Sequence, residues 1–75
     1  MEQAYDDARK RLSDNLKKTR KRIGLSQEAL ALHAGINRSY VGQIERGMGN
    51  PSLQVLVKLA TTLGLDIADL IKKGK

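Results

Sequence analysis

The sequence contains no cysteine, one histidine and one proline. Its aromatic residues are two tyrosines, and it has no Phe or Trp. Without cysteine the chain can form neither a disulfide nor a thiolate metal site. One histidine is too few for the usual histidine sites, so we expect no metal and no cofactor. The lack of Phe and Trp argues against proteins that stack single-stranded bases on aromatic side chains.

Long apolar runs are also missing. The N-terminal residues MEQAYDDARK contain no signal-peptide core, and no stretch approaches the roughly 18 apolar residues that cross a bilayer. We therefore expect a soluble, cytoplasmic protein with no membrane partner. The 75 residues allow a single small domain spanning residues 1–75, with a core just large enough to fold alone.

Positive charge is in clear excess, with 14 Lys and Arg against 8 Asp and Glu and a net charge of +6. Nucleic acid is the leading partner class for so basic a small protein. Charge alone leaves a second interpretation open, because many small basic proteins gain only solubility from it. The sequence shows no nucleophile and base pair, no paired acids and no phosphate-binding glycine loop, so we expect no enzymatic activity.

Apolar residues spaced three and four positions apart, separated by short turns that contain glycine, predict an all-α fold of five helices. Residues 1–11 are expected to extend the first helix, as a solvated segment, a dimer contact or an arm that meets the DNA backbone. Residues 72–75 are expected to form a frayed tail. The later helices each begin at a residue that can cap them, namely Ser26, Asn37, Ser52 and Asp66.

Two helices have long apolar faces that we expect to point into the core. On the first helix this face comprises Tyr5, Ala8, Leu12, Leu16, Thr19 and Ile23. On the fourth helix it comprises Leu53, Leu56, Leu59, Ala60 and Leu63.

Residues 27–46, QEALALHAGINRSYVGQIER, have the pattern of a helix-turn-helix. This motif needs a small residue where its two helices cross, a glycine in the turn, and apolar residues that wedge the helices together. Seven residues meet these needs: Leu30, Ala31, Ala34, Gly35, Ile36, Val41 and Ile44. The sequence therefore predicts a compact domain in which helices 2 and 3 form a helix-turn-helix.

The segments LSQEALA, AGINRSYVGQIERG and NPSLQVLVKLATTLG resemble the helix-turn-helix family of lambdoid phage repressors and Cro proteins, often called Xre-like. The resemblance covers residues 12–70. It implies a five-helix fold whose third helix enters the DNA major groove, usually as a homodimer on a palindromic operator. It also implies a structural salt bridge between Arg20 and Glu45, and contacts of Gln27 and residues 48–50 with the DNA backbone.

The third helix can be divided into two faces at 100 degrees per residue. Its outer face is expected to be polar, with a bare position at Gly42 that lets the helix lie deeper in the groove. Base contacts are predicted for Arg38, which can pair with guanine, for Gln43, which can pair with adenine, and for Ser39. A solvated outer face is the alternative. Backbone contacts are predicted for Gln27, Tyr40, Arg46 and Asn50, although Arg46 could instead bind the carbonyls of its own last turn.

One such domain buries too little surface to select an operator among genomic competitors, so a homodimer is expected. The predicted dimer interface is Leu65, Ile67, Leu70 and Ile71, some of which must also close the core. We expect a sequence-specific, double-stranded DNA-binding transcriptional regulator, with RNA polymerase as a further candidate partner. The resemblance favours a controller of a restriction-modification operon, and the alternative is a coactivator-like protein-interaction module or an antitoxin module of the same fold.

Overall fold

A computed structural model describes residues 2–74, and within that range the chain forms five α-helices and no strand. The helices are α1 (Glu2–Ile23), α2 (Gln27–Ala34), α3 (Arg38–Glu45), α4 (Leu53–Leu63) and α5 (Ile67–Ile71). The predicted all-α, five-helix fold is confirmed. Met1 and Lys75, which belong to the predicted extension and tail, lie outside the described residues. No helix in residues 2–74 combines the length and the apolar character needed to cross a membrane.

The helices α2 to α5 begin where the sequence predicts because a side chain accepts a backbone N–H from the first turn of each. At α5 the cap is reciprocal, since the Asp69 carboxylate in turn accepts the backbone N–H of Asp66 at 3.0 Å. At the other ends of α2 and α4, Gly35 and Gly64 both adopt φ of 71°, a left-handed conformation that glycine takes without strain. The four capping residues are Ser26, Asn37, Ser52 and Asp66.

Every helix contributes to one apolar core. The helix α1 packs against α3, α4 and α5, while α2 packs against α3 and α4. Because α1 touches both the third helix and the last one, it fixes the helix-turn-helix to the rest of the domain. The largest completely buried side chains are Leu16, Leu30, Val41, Ile44, Leu59 and Leu70.

The predicted inner face of α1 is correct at its centre and wrong at both ends, and that of α4 is wrong only at its first residue, since Leu63 at its other end is buried. Tyr5 is 45% exposed, Ile23 is 49% exposed and Leu53 is 70% exposed. Periodicity identifies the face of a helix, but it does not show where the helices packed against that face end. At Tyr5, the Arg9 guanidinium lies over the ring, 4.8 Å from its centroid.

The last helix closes the core through Leu70, which is completely buried. This corrects the prediction that Leu70 lies in a dimer interface, since a side chain with no exposed surface has nothing to offer a partner. Leu65 and Ile67 are half-buried, and Ile71 is 43% exposed.

The chain after α5 is held by the first helix. The Asn15 amide donates to the carbonyls of Leu70 and Lys72, at 3.0 and 2.9 Å. This side chain ties the backbone of Lys72, the first residue of the predicted frayed tail, to α1.

Candidate nucleic-acid interface

The turn between α2 and α3 holds the two helices in close contact. The Ile36 N–H donates to the Ala31 carbonyl at 3.0 Å, which closes the turn at the end of α2. On the facing sides, Ala31 is small and buried, and Val41 and Ile44 are almost completely buried. The inner side of α3 is thus fixed against the core, as a helix-turn-helix requires.

The opposite side of α3 faces solvent. Arg38, Ser39 and Gln43, the three residues predicted to contact bases, are all exposed on this one helix. Their side chains carry hydrogen-bond donors and acceptors of the kinds that pair with base edges in the major groove. The structure therefore brings the three predicted base contacts together on one accessible surface.

The residues predicted to contact the DNA backbone lie in different environments. Arg46 is exposed and Gln27 is half-buried, and both approach Gly42 of α3. Tyr40 is partly buried and packs against the core. Asn50 is exposed but borders a groove between α1, α4 and α5 that Leu56 also lines.

A buried ion pair ties the end of α3 to α1. Arg20 Nε lies 2.6 Å from Glu45 Oε2, and Arg20 Nη2 lies 2.9 Å from Glu45 Oε1. The two side chains are only 10% and 4% exposed. Arg20 Nη1 also donates to the Leu25 carbonyl at 2.7 Å, so the same guanidinium closes the turn after α1. This two-bond geometry is the most specific that an arginine and a carboxylate can form.

The surroundings of this pair shift the pKa of both members. Burial by itself raises the pKa of Glu45, but the hydrogen bonds from Arg20 and Gln27 and the positive charges of Arg20 and Lys17 together outweigh it. The pKa of Glu45 is consequently lowered from its ordinary value. For Arg20, the hydrogen bond to Glu45 is the main cause of a raised pKa. Both groups are therefore charged at neutral pH.

Two further contacts of Glu45 were not predicted from the sequence. The Gln27 amide donates to Glu45 Oε1 at 3.0 Å, so the Glu45 carboxylate of the ion pair orients the Gln27 side chain. The hydroxyl of Ser13, which is 6% exposed, donates to the Glu45 backbone carbonyl at 2.5 Å. Ser13 adjoins the inner face of α1 defined by Leu12 and Leu16, so the helical spacing could have indicated its burial, although not its partner.

The prediction of a bare outer position at Gly42 is wrong, because Gly42 is buried. A Cβ atom at this residue would lie 3.3 Å from Arg46 Nη1 and 3.9 Å from Gln27 Oε1. The side chain of Arg46 therefore lies back over α3 and covers Gly42 together with the Gln27 amide.

Comparisons with known proteins agree with this geometry. A family model described as helix-turn-helix matches residues 16–70. Control protein C.SmaI of Serratia marcescens is 34% identical over 69 residues, which cover 92% of this chain and 82% of that protein. Control protein C.MunI of a Mycoplasma species is 38% identical over 66 residues, covering 87% of this chain and 89% of the relative.

A solved structure with the same fold is the restriction-modification controller protein C.AhdI of Aeromonas hydrophila. It is 44% identical to this chain with a TM-score of 0.80, and the match covers 83% of this chain and 94% of that one. The matched family segment contains all of α2, α3 and α4, including the exposed face of α3. The chain therefore belongs to the helix-turn-helix family of DNA-binding transcriptional regulators.

Proposed function

We propose that this protein binds a specific double-stranded DNA operator and reads its bases with Arg38, Ser39 and Gln43. The observation that carries the proposal is the contrast between the two sides of α3. One side is fixed to the core and to α1 through Ile44 and the buried Glu45, while the other presents the three polar side chains to solvent. A rigid helix with an exposed polar face is what recognition in the major groove requires.

Contacts with the DNA backbone fix such a helix in its groove, and the net charge of +6 favours them. We assign this role to Arg46, at the end of α3, and to Gln27, at the start of α2. The Gln27 amide donates one N–H to Glu45, and its second N–H can donate to a phosphate oxygen. Tyr40 and Asn50 are weaker candidates, since Tyr40 packs against the core and Asn50 borders the groove between α1, α4 and α5.

The protein acts as a homodimer in this proposal, because a single domain buries too little surface to select one operator. The burial of Leu70 moves the proposed interface onto the apolar side chains that α4 and α5 leave exposed. These are Leu53, Val57 and Ile71, which are 70%, 47% and 43% exposed. The half-buried Leu65 and Ile67 border it on the α5 side. Two identical domains related by two-fold symmetry would bind a palindromic operator.

The biological role follows from the relatives. C.SmaI and C.MunI are control proteins, and C.AhdI is a restriction-modification controller protein. Since each matches most of this chain, we assign this chain to the control of a restriction-modification operon in the cytoplasm. Its action would depend on its own concentration and on dimerisation rather than on catalysis.

Selection of binding sites from a random-sequence duplex library tests the proposal. The wild-type protein is expected to enrich a palindrome, and Arg38→Ala is expected to lose preference at one position of each half-site. The matched control is Lys58→Ala, which removes the same charge from the exposed surface of α4. The loss of a bidentate base contact costs about 1–3 kcal/mol of discrimination, so the preferred base should lose about fivefold or more in enrichment.

Two results would contradict the proposal. If the wild-type protein enriches no sequence, the domain is not a sequence-specific regulator, and a protein-interaction role becomes the better explanation. If Arg38→Ala retains the full wild-type preference, α3 does not contact bases in the way described here.

A further inference from the structure

Gly42 is a buried residue of α3 whose identity the backbone conformation does not explain. Glycines with positive φ occur elsewhere in the described chain, but Gly42 is not among them and lies inside a regular helix. A glycine at such a position weakens a helix relative to alanine. The reason for glycine must therefore lie in the space that a side chain would occupy.

Arg46 borders that space. Side chains on an α-helix point toward its N-terminus, so residue 46 covers the turn that contains residue 42. Arg46 Nη1 is 3.3 Å from the position of a Cβ atom on residue 42, which is closer than an ordinary van der Waals contact. An alanine there would therefore displace the guanidinium by a few tenths of an ångström.

Gln27, at the start of α2, also approaches the position of a Cβ atom on residue 42. Gln27 Oε1 lies 3.9 Å from it, and the amide is oriented because its Nε2 donates to the buried Glu45 carboxylate. Gln27 Oε1 and Arg46 Nη1 thus border the same space above residue 42. The absence of a side chain at residue 42 leaves this space open between two groups from different helices, both of which are proposed to contact the DNA backbone.

We propose that Gly42 is a positioning residue, which lets Arg46 lie across α3 beside Gln27 and so determines where Arg46 meets a DNA phosphate. The proposal rests on the proposed function, since it concerns how a bound operator is held. It differs from the expectation drawn from the sequence, in which a bare Gly42 lets α3 lie deeper in the groove. In that alternative, an added methyl group would act on the DNA directly and Arg46 would not be involved.

A double-mutant cycle separates the two explanations. The variants are Gly42→Ala, Arg46→Ala and the double variant, with the probe being the duplex that the wild-type protein enriches from a random library. Affinity is measured by fluorescence anisotropy across a range of salt concentrations. A plot of log affinity against log salt concentration has a negative slope. Loss of one phosphate contact makes this slope less steep by about 0.9 and weakens binding roughly tenfold near 0.1 M salt.

We expect Gly42→Ala to reproduce part of the change in slope caused by Arg46→Ala, because it displaces the guanidinium without removing it, and to have almost no further effect when Arg46 is already alanine. Its thermal midpoint should equal or exceed that of the wild type, because alanine favours the helix and the end of an exposed arginine can move aside. In the free protein, the NMR signal of the Arg46 Nε–H should shift in Gly42→Ala.

Four results would overturn the inference. The first is a loss of affinity from Gly42→Ala that is equal with and without Arg46. The second and third are the absence of any effect on the salt slope from Gly42→Ala or from Arg46→Ala. The fourth is a thermal midpoint of Gly42→Ala below that of the wild type. Sequence-specific binding itself is tested separately, since it fails if the wild-type protein enriches no duplex or if Arg38→Ala keeps the full preference. Of the four results, only the absence of an effect of Arg46→Ala bears on the proposed function, and it removes the phosphate role assigned to Arg46.

Discussion

The replacement of Arg20 by alanine is expected to destabilise the whole domain, although Arg20 lies outside the hydrophobic core. In the wild type the Glu45 side chain is only 4% exposed, and without Arg20 the Gln27 amide would be its one remaining side-chain donor. The Leu25 carbonyl would also lose the hydrogen bond that it accepts from Arg20. A largely buried carboxylate that loses its charged partner is strongly disfavoured, because the neutral Gln27 amide does not replace the charge and the two hydrogen bonds of Arg20.

The size of the effect can be worked from this geometry. Removal of one partner from a buried ion pair typically costs about 3–5 kcal/mol. A domain of this length has a total free energy of unfolding of about 4–11 kcal/mol at the usual stability per residue. Since about 1 kcal/mol shifts the midpoint of so small a domain by about 4–8 °C, Arg20→Ala should melt at least about 12 °C below the wild type.

Thermal and urea unfolding followed by circular dichroism measure this change. The matched control is Lys21→Ala, which removes the same charge from the next residue of α1, an exposed one, and should change stability by less than about 0.5 kcal/mol. A double replacement, Arg20→Met with Glu45→Leu, should recover most of the loss because it leaves no buried charge. An unchanged midpoint for Arg20→Ala would refute the reasoning. A double variant less stable than both Arg20→Met and Glu45→Leu would refute it as well.

The pH dependence provides a second check on the same pair. Because the pKa of Glu45 is lowered in the folded protein, its contribution is fully present above the unfolded value of about 4.3 and is lost as the pH falls through the folded pKa. Without Arg20, burial remains as the main influence and should raise the pKa of Glu45. The difference in unfolding free energy between wild type and Arg20→Ala should therefore shrink below about pH 5. A difference that grows on acidification would contradict this explanation.

Two further predictions concern residues that pattern alone did not assign correctly. Ser13→Ala leaves the Glu45 carbonyl without its buried donor, and should cost about 1–3 kcal/mol by urea unfolding, whereas the exposed neighbour Asp14→Ala should cost little. Val57→Asp should give a folded monomer in sedimentation experiments at concentrations where the wild type is dimeric, and Leu32→Asp, an exposed apolar residue of α2, serves as the matched control. A dimeric Val57→Asp protein would exclude the proposed interface.

The sequence predicts the helices well because their start and end signals are local. Ser26 and Ser52 cap the helices that follow them, and Gly35 ends α2, each through contacts within a few residues. The burial of Leu70, in contrast, depends on how α5 packs against α1 and α4, and periodicity in a helix of five residues does not determine it.

The same distinction applies to the candidate site. The exposed face of α3 follows from its period, so Arg38, Ser39 and Gln43 could be identified as one surface. The contacts of Ser13 and Gln27 with Glu45 join residues that are far apart in the sequence, and no local pattern indicates them. Gly42 shows the limit most clearly, because its neighbour Arg46 is visible in the helical spacing, but the approach of Gln27 from α2 is not.

Methylation interference on the enriched duplex tests most directly whether α3 reads the major groove. Guanine N7 lies in that groove, and a methyl group there blocks a bidentate arginine. Binding by the wild-type protein should be blocked by N7 methylation of a guanine in each half-site, with the two half-sites about 34 Å apart, and Arg38→Ala should be insensitive at that guanine. Interference confined to adenine N3 in the minor groove, or a pattern unchanged in Arg38→Ala, would contradict recognition by α3.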